Sequence, residues 1–351
     1  MAASELSGKA QTVLGPVIPE DLGITLPHEH LFITMNKTSF IEPEEATEKY
    51  LAYQPVSLQN LSWLKMNPTK NLDNGTIDNE KTAIDEVMIF KKNGGGTIVE
   101  VTPKYMGRDP SALARVSRAT GINIIMGTSY YLAPVHPPEI EKWTEQQIAD
   151  EFIKDIRVGA DGKGIRAGVI GEVACSWPLH KNERKVLRAA AMAQRETGAP
   201  LMIHPGMDES SPMELIEIAS DAGADISRTV MCHTSVTLFK SESRLKLAEK
   251  GCFIEYDLFG RDSHYFALLP IDMPGDRERL RQIKELIAAG HKKQILLSHD
   301  VCFKIRLTRY GGLGYGYLLR YGIPMMQQHG MSNEQINTIL VDNPKTMLQF
   351  A

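Results

Sequence analysis

Residues of metal-binding type recur in this sequence beside short apolar runs. His28 and His30 flank Glu29 in the segment LPHEHLF, and residues two apart on a strand point to the same face. Four more such residues each stand near the end of an apolar run: Glu172 in VIGEVA, His204 in LMIHPG, His233 in VMCHT and Asp300 in LLSHD. Imidazoles and carboxylates in this ratio suit Zn2+, or less specifically Mn2+, Co2+ or Fe2+, and are too rich in nitrogen for Ca2+ or Mg2+.

Each of these residues alone has an ordinary structural explanation, such as a satisfied core histidine or a buried ion pair. Together they are costly, because a buried, unpaired charge costs several kcal/mol unless a shared cation compensates it. The set exceeds the ligands of one tetrahedral zinc, so we predict two metal ions about 3.5–4 Å apart. Glu172 is the natural bridge between them. The other ligands divide into two sets: His28, His30 and Asp300 on one ion, and His204 and His233 on the other.

Parallel strands are needed to position these side chains. Eight apolar, β-branched runs are separated mostly by segments of helix length: GITLPHEH, TIVEVT, INIIMGT, RAGVIGEVA, APLMIH, RTVMCHT, CFIEYD and QILLSHD. Six of the runs follow a glycine that is suited to end a helix, namely Gly94, Gly121, Gly198, Gly223, Gly251 and Gly290. Nearly continuous apolar runs are typical of parallel strands buried on both faces.

A doubly wound open sheet would give a similar pattern. Metal-type residues at the carboxyl ends of many strands favour instead an α/β fold of the (β/α)8 TIM-barrel type, which places its chemistry there. We find no linker and no internal repeat, so the simplest prediction is one metal-dependent hydrolase barrel domain over residues 1–351. Segment 332–350 is expected to form one or two helices that close the barrel.

Three long βα loops are predicted on the catalytic face, after strands 1, 7 and 8. They span about residues 31–77, 257–280 and 301–330, and such loops usually build a substrate pocket. The glycine-rich stretch 310–317 fits either a mobile lid or a packed turn.

Composition excludes several classes of protein. Hydrophobic residues make up 42% and charged residues 23%, which is ordinary for a globular protein. A net charge of -4 without a basic stripe argues against nucleic acid as a partner. There is neither a signal-peptide pattern nor a long apolar run, so we expect a cytosolic protein that does not bind membranes. Widely separated cysteines without a CxxC pair are expected to be reduced and mostly buried: Cys175, Cys232, Cys252 and Cys302.

The pattern resembles the phosphotriesterase family of the amidohydrolase superfamily. The HxH of the first strand, the single histidines of the fifth and sixth strands and the aspartate of the eighth carry this resemblance. It extends through LGITLPHEHLF, GVIGEVACSWPL, LMIHPG, CHT and QILLSHDVCFK, and covers nearly the whole chain. Bacterial phosphotriesterases have a carbamylated lysine at the fourth-strand position, where this chain has Glu172. That departure argues against organophosphate hydrolysis as the native reaction.

The resemblance is closest to a vertebrate branch of the family, and it implies an amidohydrolase that cleaves small N-acyl amino compounds such as N-acetyltaurine to taurine and acetate. The expected mechanism is attack by a metal-generated hydroxide, with Glu172 as the catalytic bridge and Asp300 as the proton shuttle. The alternatives are a lactonase or phosphoester hydrolase that uses the same metal centre, and a non-catalytic protein that keeps metals for stability. Family relatives often form homodimers, so a homodimer is compatible with the resemblance.

A small-molecule substrate that carries an acid group would need cationic or hydroxyl partners in the loops. The candidates are Lys104, Tyr105, Arg108, Tyr130, Arg261, Lys304, Arg306 and Tyr310. Strand alternation points His299 away from Asp300, so His299 is left out of the ligand set.

Overall fold

A computed structural model describes residues 6–261, 265–266 and 271–351 of the chain. Its main sheet has eight strands in chain order, each parallel to the next. These strands are β1 (Ile24–Glu29), β2 (Gly95–Glu100), β3 (Asn123–Thr128), β4 (Val169–Ala174), β5 (Leu201–His204), β6 (Thr229–Met231), β7 (Phe253–Tyr256) and β8 (Ile295–Leu297). Seven of the eight predicted runs contain one of them, and the eighth, TIVEVT, overlaps β2, which begins two residues earlier. The predicted (β/α)8 barrel is confirmed.

Helices alternate with the strands. The longer ones are α1 (Glu80–Lys92), α2 (Pro110–Thr120), α3 (Glu145–Arg157), α4 (Lys181–Thr197), α5 (Ser211–Asp221), α6 (Ser241–Glu249) and α7 (Asp276–Ala288). The glycines predicted at their ends all have positive φ; Gly121, for example, ends α2 at φ 67° and donates its N–H to the Ser117 carbonyl. The predicted C-terminal helices lie at Asn333–Asn337 and Asn343–Leu348, joined by a π-helical turn.

Much of the barrel wall is packed with buried apolar side chains. One buried cluster takes side chains from β2 to β8 and includes Leu22, Met347 and Leu348 from the segments next to them. Its strand members are Val99, Ile125, Val169, Met202, Val230, Phe253 and Leu296. A larger cluster lies between the strands and the helices. Buried ionisable side chains stand toward the carboxyl ends of the strands, as at His28, Glu100 and Glu172.

The barrel has one irregular seam. Across the described residues, the backbone ladder runs from β1 to β8 without a ladder that links β8 back to β1. At this seam the Asp300 N–H donates to the His28 carbonyl at 3.3 Å, and the His28 N–H donates to Ser298 Oγ at 3.2 Å.

The long loops lie where they are expected. The loop after β1 carries short helices at Asn36–Ser39, Ala46–Lys49 and Leu61–Met66, and its strands Ile33–Thr34 and Thr76–Ile77 pair with each other. In the predicted loop 257–280, residues 262–264 and 267–270 lie outside the described residues. No helix in the described part of the chain is long and apolar enough to cross a membrane.

The glycine-rich stretch of the loop after β8 is packed against the barrel. Tyr315 is buried, and its hydroxyl donates to the His30 carbonyl at 2.6 Å. A Cβ on Gly312 would lie 2.2 Å from the backbone of Arg306, so only glycine permits this close approach. These contacts favour the packed turn over the mobile lid.

Candidate metal centre

The structure brings all the predicted ligands to the mouth of the barrel. His28 lies in β1 and His30 just beyond it, Glu172 lies in β4, and His204 ends β5. His233 and Asp300 follow β6 and β8. All of them are buried except His204, whose side chain is 14% exposed. Buried imidazoles and carboxylates that face one another form a potential metal site.

Glu172 joins two groups of potential ligands. In each group, the ligand atoms lie within 4.8 Å of one another. The groups are His28, His30 and Glu172, and Glu172, His204 and His233. Glu172 Oε1 lies 3.5 Å from His30 Nε2, and its Oε2 lies 2.8 Å from His204 Nδ1. A carboxylate shared in this way has the arrangement expected of a bridge between two ions.

Asp300 stands beside the first group. Its Oδ1 lies 3.3 Å from His30 Nε2. Burial raises the pKa of the Asp300 carboxyl, but the hydrogen bond with His30 and the charge of nearby histidines outweigh burial and lower that pKa well below its usual value. Asp300 is therefore held as a carboxylate, the form that can bind a cation.

The residues present fit divalent cations. His28 Nε2 is buried and has no hydrogen-bond partner among the described residues, whereas His28 Nδ1 lies 3.0 Å from Glu255 Oε2. Burial lowers the pKa of His28, yet the carboxylates around it, Glu255 first among them, raise that pKa to about 10. The carboxylates of the cluster thus favour positive charge at the imidazole nitrogens, which a proton or a bound cation can supply.

Sequence analysis missed the carboxylates that orient the histidines. Besides Glu255, Asp257 follows β7, and its Oδ1 lies 3.0 Å from His233 Nδ1 while its Oδ2 accepts the His233 backbone N–H at 2.8 Å. Such partners fix the tautomer and the ring orientation of a metal-binding histidine. The available signal was the pair of acids two residues apart in CFIEYD, which was used only as a strand pattern.

The backbone is irregular where the ligands stand. His233 and Asp300 have φ values of 54° and 51°, a left-handed conformation that costs a non-glycine residue ~1–3 kcal/mol. Register shifts fall between Leu26 and Glu29 in β1 and between Ile170 and Val173 in β4, around His28 and Glu172. Irregularities of this kind re-aim side chains and occur beside active sites.

A cavity of about 380 Å³ opens above the cluster. Most of its wall is apolar, and its larger apolar residues are Met35, Tyr131, Leu132, Trp177, Met207, Val236, Leu258, Met273 and Phe303. Among the described residues, Arg261 is the one Lys or Arg side chain in this wall. The cavity therefore suits a small substrate with apolar parts and one acidic group.

Most of the predicted partners for an acid group lie elsewhere. Lys104 and Arg108 pair with Asp155 at 3.4 and 3.0 Å, and Lys304 pairs with Asp73. The remaining candidates apart from Arg261 are likewise absent from the cavity wall: Tyr105, Tyr130, Arg306 and Tyr310.

Tyr131 and His299, which neighbour the predicted residues Tyr130 and Asp300, differ in direction: Tyr131 faces the cavity and His299 faces away from the ligands. Tyr131, which was not among the candidates, lines the cavity and packs edge-on against His204 at 5.3 Å between ring centres. His299 is directed away from the ligands, as expected, since its Nδ1 lies 2.7 Å from Glu29 Oε1.

Comparison with known proteins identifies the family of this chain. The sequence model of the Phosphotriesterase family matches residues 8–348. The chain belongs to the phosphotriesterase family. A family member from Nematostella vectensis, "Phosphotriesterase-related protein", is 44% identical over 348 residues, which cover 98% of this chain and 99% of that one. The "N-acetyltaurine hydrolase" of Homo sapiens is 41% identical over 349 residues, with 99% of each chain covered.

A solved structure shares the fold closely. The crystal structure of a resiniferatoxin-binding protein from Rhodobacter sphaeroides has a TM-score of 0.95 and 37% sequence identity, and 98% of each chain is covered. Membership in the phosphotriesterase family, together with the His, Glu and Asp cluster, makes this chain a metal-dependent hydrolase.

Proposed function

We propose that this protein hydrolyses small N-acyl amino compounds, N-acetyltaurine among them, at a centre of two Zn2+ ions. The observation that carries the proposal is the pair of ligand groups that share Glu172 at the floor of a mostly apolar cavity. Relatives more than 40% identical over nearly the full chain bear the name N-acetyltaurine hydrolase, which supports the substrate class.

Each ligand has a defined part in this centre. His28, His30 and Asp300 would hold one ion, His204 and His233 the other, and Glu172 both. When bound, two such ions polarise the scissile carbonyl and lower the pKa of a water molecule to near neutrality. Glu255 and Asp257 keep the rings of His28 and His233 turned toward the centre.

The proton transfers fall to Asp300. Its carboxylate accepts a proton from the attacking water, whose oxygen forms a bond to the amide carbon. The C–N bond then breaks, and Asp300 delivers the same proton to the departing nitrogen, so that a carboxylic acid and an amine form. The acid then loses its proton to solvent or to the amine and leaves as a carboxylate. Burial, together with the nearby charges of Glu172 and Asp300, holds the pKa of Tyr131 well above its usual value, so the phenol keeps its proton and can donate to a substrate oxygen.

The acid group of the substrate would face Arg261. A guanidinium matches the planar edge of a carboxylate and the oxygens of a sulfonate, and both bind it through charge-assisted hydrogen bonds. The apolar walls would enclose the methylenes and the acyl group. A neutral lactone or a phosphotriester would make no use of this cation, which favours the amide substrate over the alternative reactions.

The first experiment measures metal content and hydrolysis together. Purified protein is assayed for metal per chain and for release of taurine from N-acetyltaurine, before and after treatment with a chelator and again after Zn2+ is restored. About two ions per chain and taurine release that is lost and recovered with metal would support the proposal.

Substrate profiling separates the alternatives. A neutral lactone and a phosphotriester are assayed beside N-acetyltaurine with the same protein. Faster turnover of either one than of the amide would overturn the proposed substrate while keeping the metal centre. A chain that holds no metal would overturn both.

A further inference from the structure

Glu29 stands between two predicted ligands, His28 and His30, and yet it faces away from them. Its side chain is fully buried. It belongs to neither group of ligand atoms around Glu172. Its contacts lie across the seam between β1 and β8, where the described residues form no backbone ladder. A buried carboxylate in this place requires partners, because an unpaired one is costly.

Among the described residues, the hydrogen-bond partners of the Glu29 carboxylate come from the turn that follows β8. Oε1 accepts hydrogen bonds from the Ser298 hydroxyl at 2.8 Å and the His299 backbone N–H at 2.9 Å, and lies 2.7 Å from His299 Nδ1. Oε2 accepts the Val301 backbone N–H at 3.1 Å. The Glu29 carboxylate therefore binds the backbone N–H groups of His299 and Val301, the residues immediately before and after Asp300.

The turn itself needs this support. Asp300 has a φ of 51°, a left-handed conformation that is uncommon for residues other than glycine and is supported here by the surrounding hydrogen bonds. Three successive backbone N–H groups, those of residues 299, 300 and 301, are held in order by Glu29 Oε1, the His28 carbonyl and Glu29 Oε2. The HEH motif thus fixes the backbone of Asp300 while its histidines face the ligand cluster.

We propose that Glu29 is a positioning residue, whose carboxylate fixes the turn 299–301 and with it the direction of the Asp300 side chain. The proposal rests on the catalytic role proposed above for Asp300. A carboxylate is required, because one Glu29 oxygen serves donors on Ser298 and His299 and the other serves Val301. A glutamine offers one accepting oxygen and would turn its NH2 toward a donor.

Glu86 provides a matched control. It is also buried, and its carboxylate also accepts backbone N–H groups from the loop after β8, those of Thr308 and Arg309 at 3.1 and 2.8 Å. It does not line the cavity. Glu86→Gln therefore removes the same chemistry from the same loop without touching the turn at Asp300.

The test compares Glu29→Gln and Glu86→Gln by kcat, KM, Tm and retention of Zn2+ against increasing chelator. Both variants should lower Tm. Only Glu29→Gln should lower kcat by about 10–100-fold with little change in KM, and lose its metal at about tenfold less chelator, as expected for a residue that orients a ligand. An equal loss of kcat in both variants, or none in either, would contradict the proposal.

A double-mutant cycle distinguishes positioning from general destabilisation. In an Asp300→Asn background, Glu29→Gln should cause little further loss of kcat, because its effect passes through Asp300. An undiminished loss in that background would overturn the proposal. If Glu29→Gln does not fold, Ser298→Ala removes one donor to Oε1 and, with it, the acceptor of the His28 N–H. It should lower kcat about 2–10-fold in the wild-type background and cause little further loss in the Asp300→Asn background; unchanged kcat in the first, or an undiminished loss in the second, would contradict the proposal.

The proposed substrate and the proposed role of Glu29 can be refuted independently of each other. If the wild-type protein releases no taurine from N-acetyltaurine, the proposed substrate is wrong, and the comparison of metal retention between Glu29→Gln and Glu86→Gln still decides whether Glu29 positions the site.

Discussion

The predicted ligands stand on two differently built parts of the barrel wall. Glu172, His204 and His233 lie on neighbouring strands, where the backbone ladder pairs Ala174 with His204 and Met231 with Ile203. His28, His30 and Asp300 lie at the seam of β1 and β8, which the described backbone leaves without a ladder. There, side chains such as those of Glu29 and Ser298 make the connection.

This difference separates two ways of positioning a ligand. In a ladder, many backbone hydrogen bonds together fix the position of the strand that carries the ligand, so the loss of one side chain changes that position little. At the seam, a few buried side chains make the hydrogen bonds that fix the backbone. Each buried donor or acceptor that loses its partner there lowers the stability of the fold by ~1–3 kcal/mol. We therefore expect Glu172 and His204 to depend mainly on the ladder. Asp300, and His233 through Asp257, should depend also on residues outside the ligand set.

Removal of the group shared by both parts should have the largest effect. Glu172→Ala removes the proposed bridge and should lower kcat/KM by at least ~1000-fold, together with loss of bound metal. Activity and metal content are measured on the same preparation. Near-normal metal content and turnover in this variant would show that Glu172 does not belong to the metal centre and does not link the two parts.

Asp300→Asn should come next in magnitude. It preserves the shape of the side chain and removes the proton acceptor, so kcat should fall by ~100–10000-fold with little change in KM. Steady-state kinetics with N-acetyltaurine measure both parameters. An equal loss in kcat and in substrate affinity would mean that Asp300 mainly shapes the site.

Asp257 tests whether the ladder side also depends on a supporting carboxylate. Asp257→Asn weakens the orientation of His233 and should lower metal affinity and kcat/KM by about 10–100-fold. The control is Asp155→Asn, since Asp155 is buried and paired with Arg108 far along the chain from β7. A comparable loss of metal from the control would show that the effect is one of stability alone.

The smallest effect is expected from Arg261, which lines the cavity and belongs to neither set of ligands. Arg261→Met should raise KM for N-acetyltaurine by about tenfold, because one charge-assisted contact is lost, while kcat and metal content change little. Arg261→Lys should recover part of the loss. An unchanged KM in the methionine variant would place the acid group of the substrate elsewhere.

Most of the fold was accessible from sequence because it rests on local patterns. Each predicted run contains or overlaps a strand, and the predicted helix-ending glycines adopt positive φ, as at Gly121 and Gly290. Both signals depend on short-range sterics and on burial, which a single segment reveals. Chain order and the count of eight then favoured the barrel.

The surroundings of the ligands were less accessible. Tyr130 and Tyr131 are adjacent and chemically identical, and only the path of the loop after β3 decides that Tyr131 faces the cavity. Cationic loop residues such as Lys104 and Lys304 were plausible partners for a substrate, but nearby acids pair with them. Those acids lie tens of residues or more away along the chain, so no local pattern announces the pairing.

The sequence by itself determined which residue types stand at the carboxyl ends of which strands, because strand periodicity and the chemistry of imidazole and carboxylate are local properties. Tertiary structure alone decided how they are held: Glu172 within reach of both histidine pairs, Glu255 and Asp257 behind His28 and His233, and Glu29 across the open seam. These are contacts between segments far apart in sequence, and they form only when the barrel brings its first and last strands together.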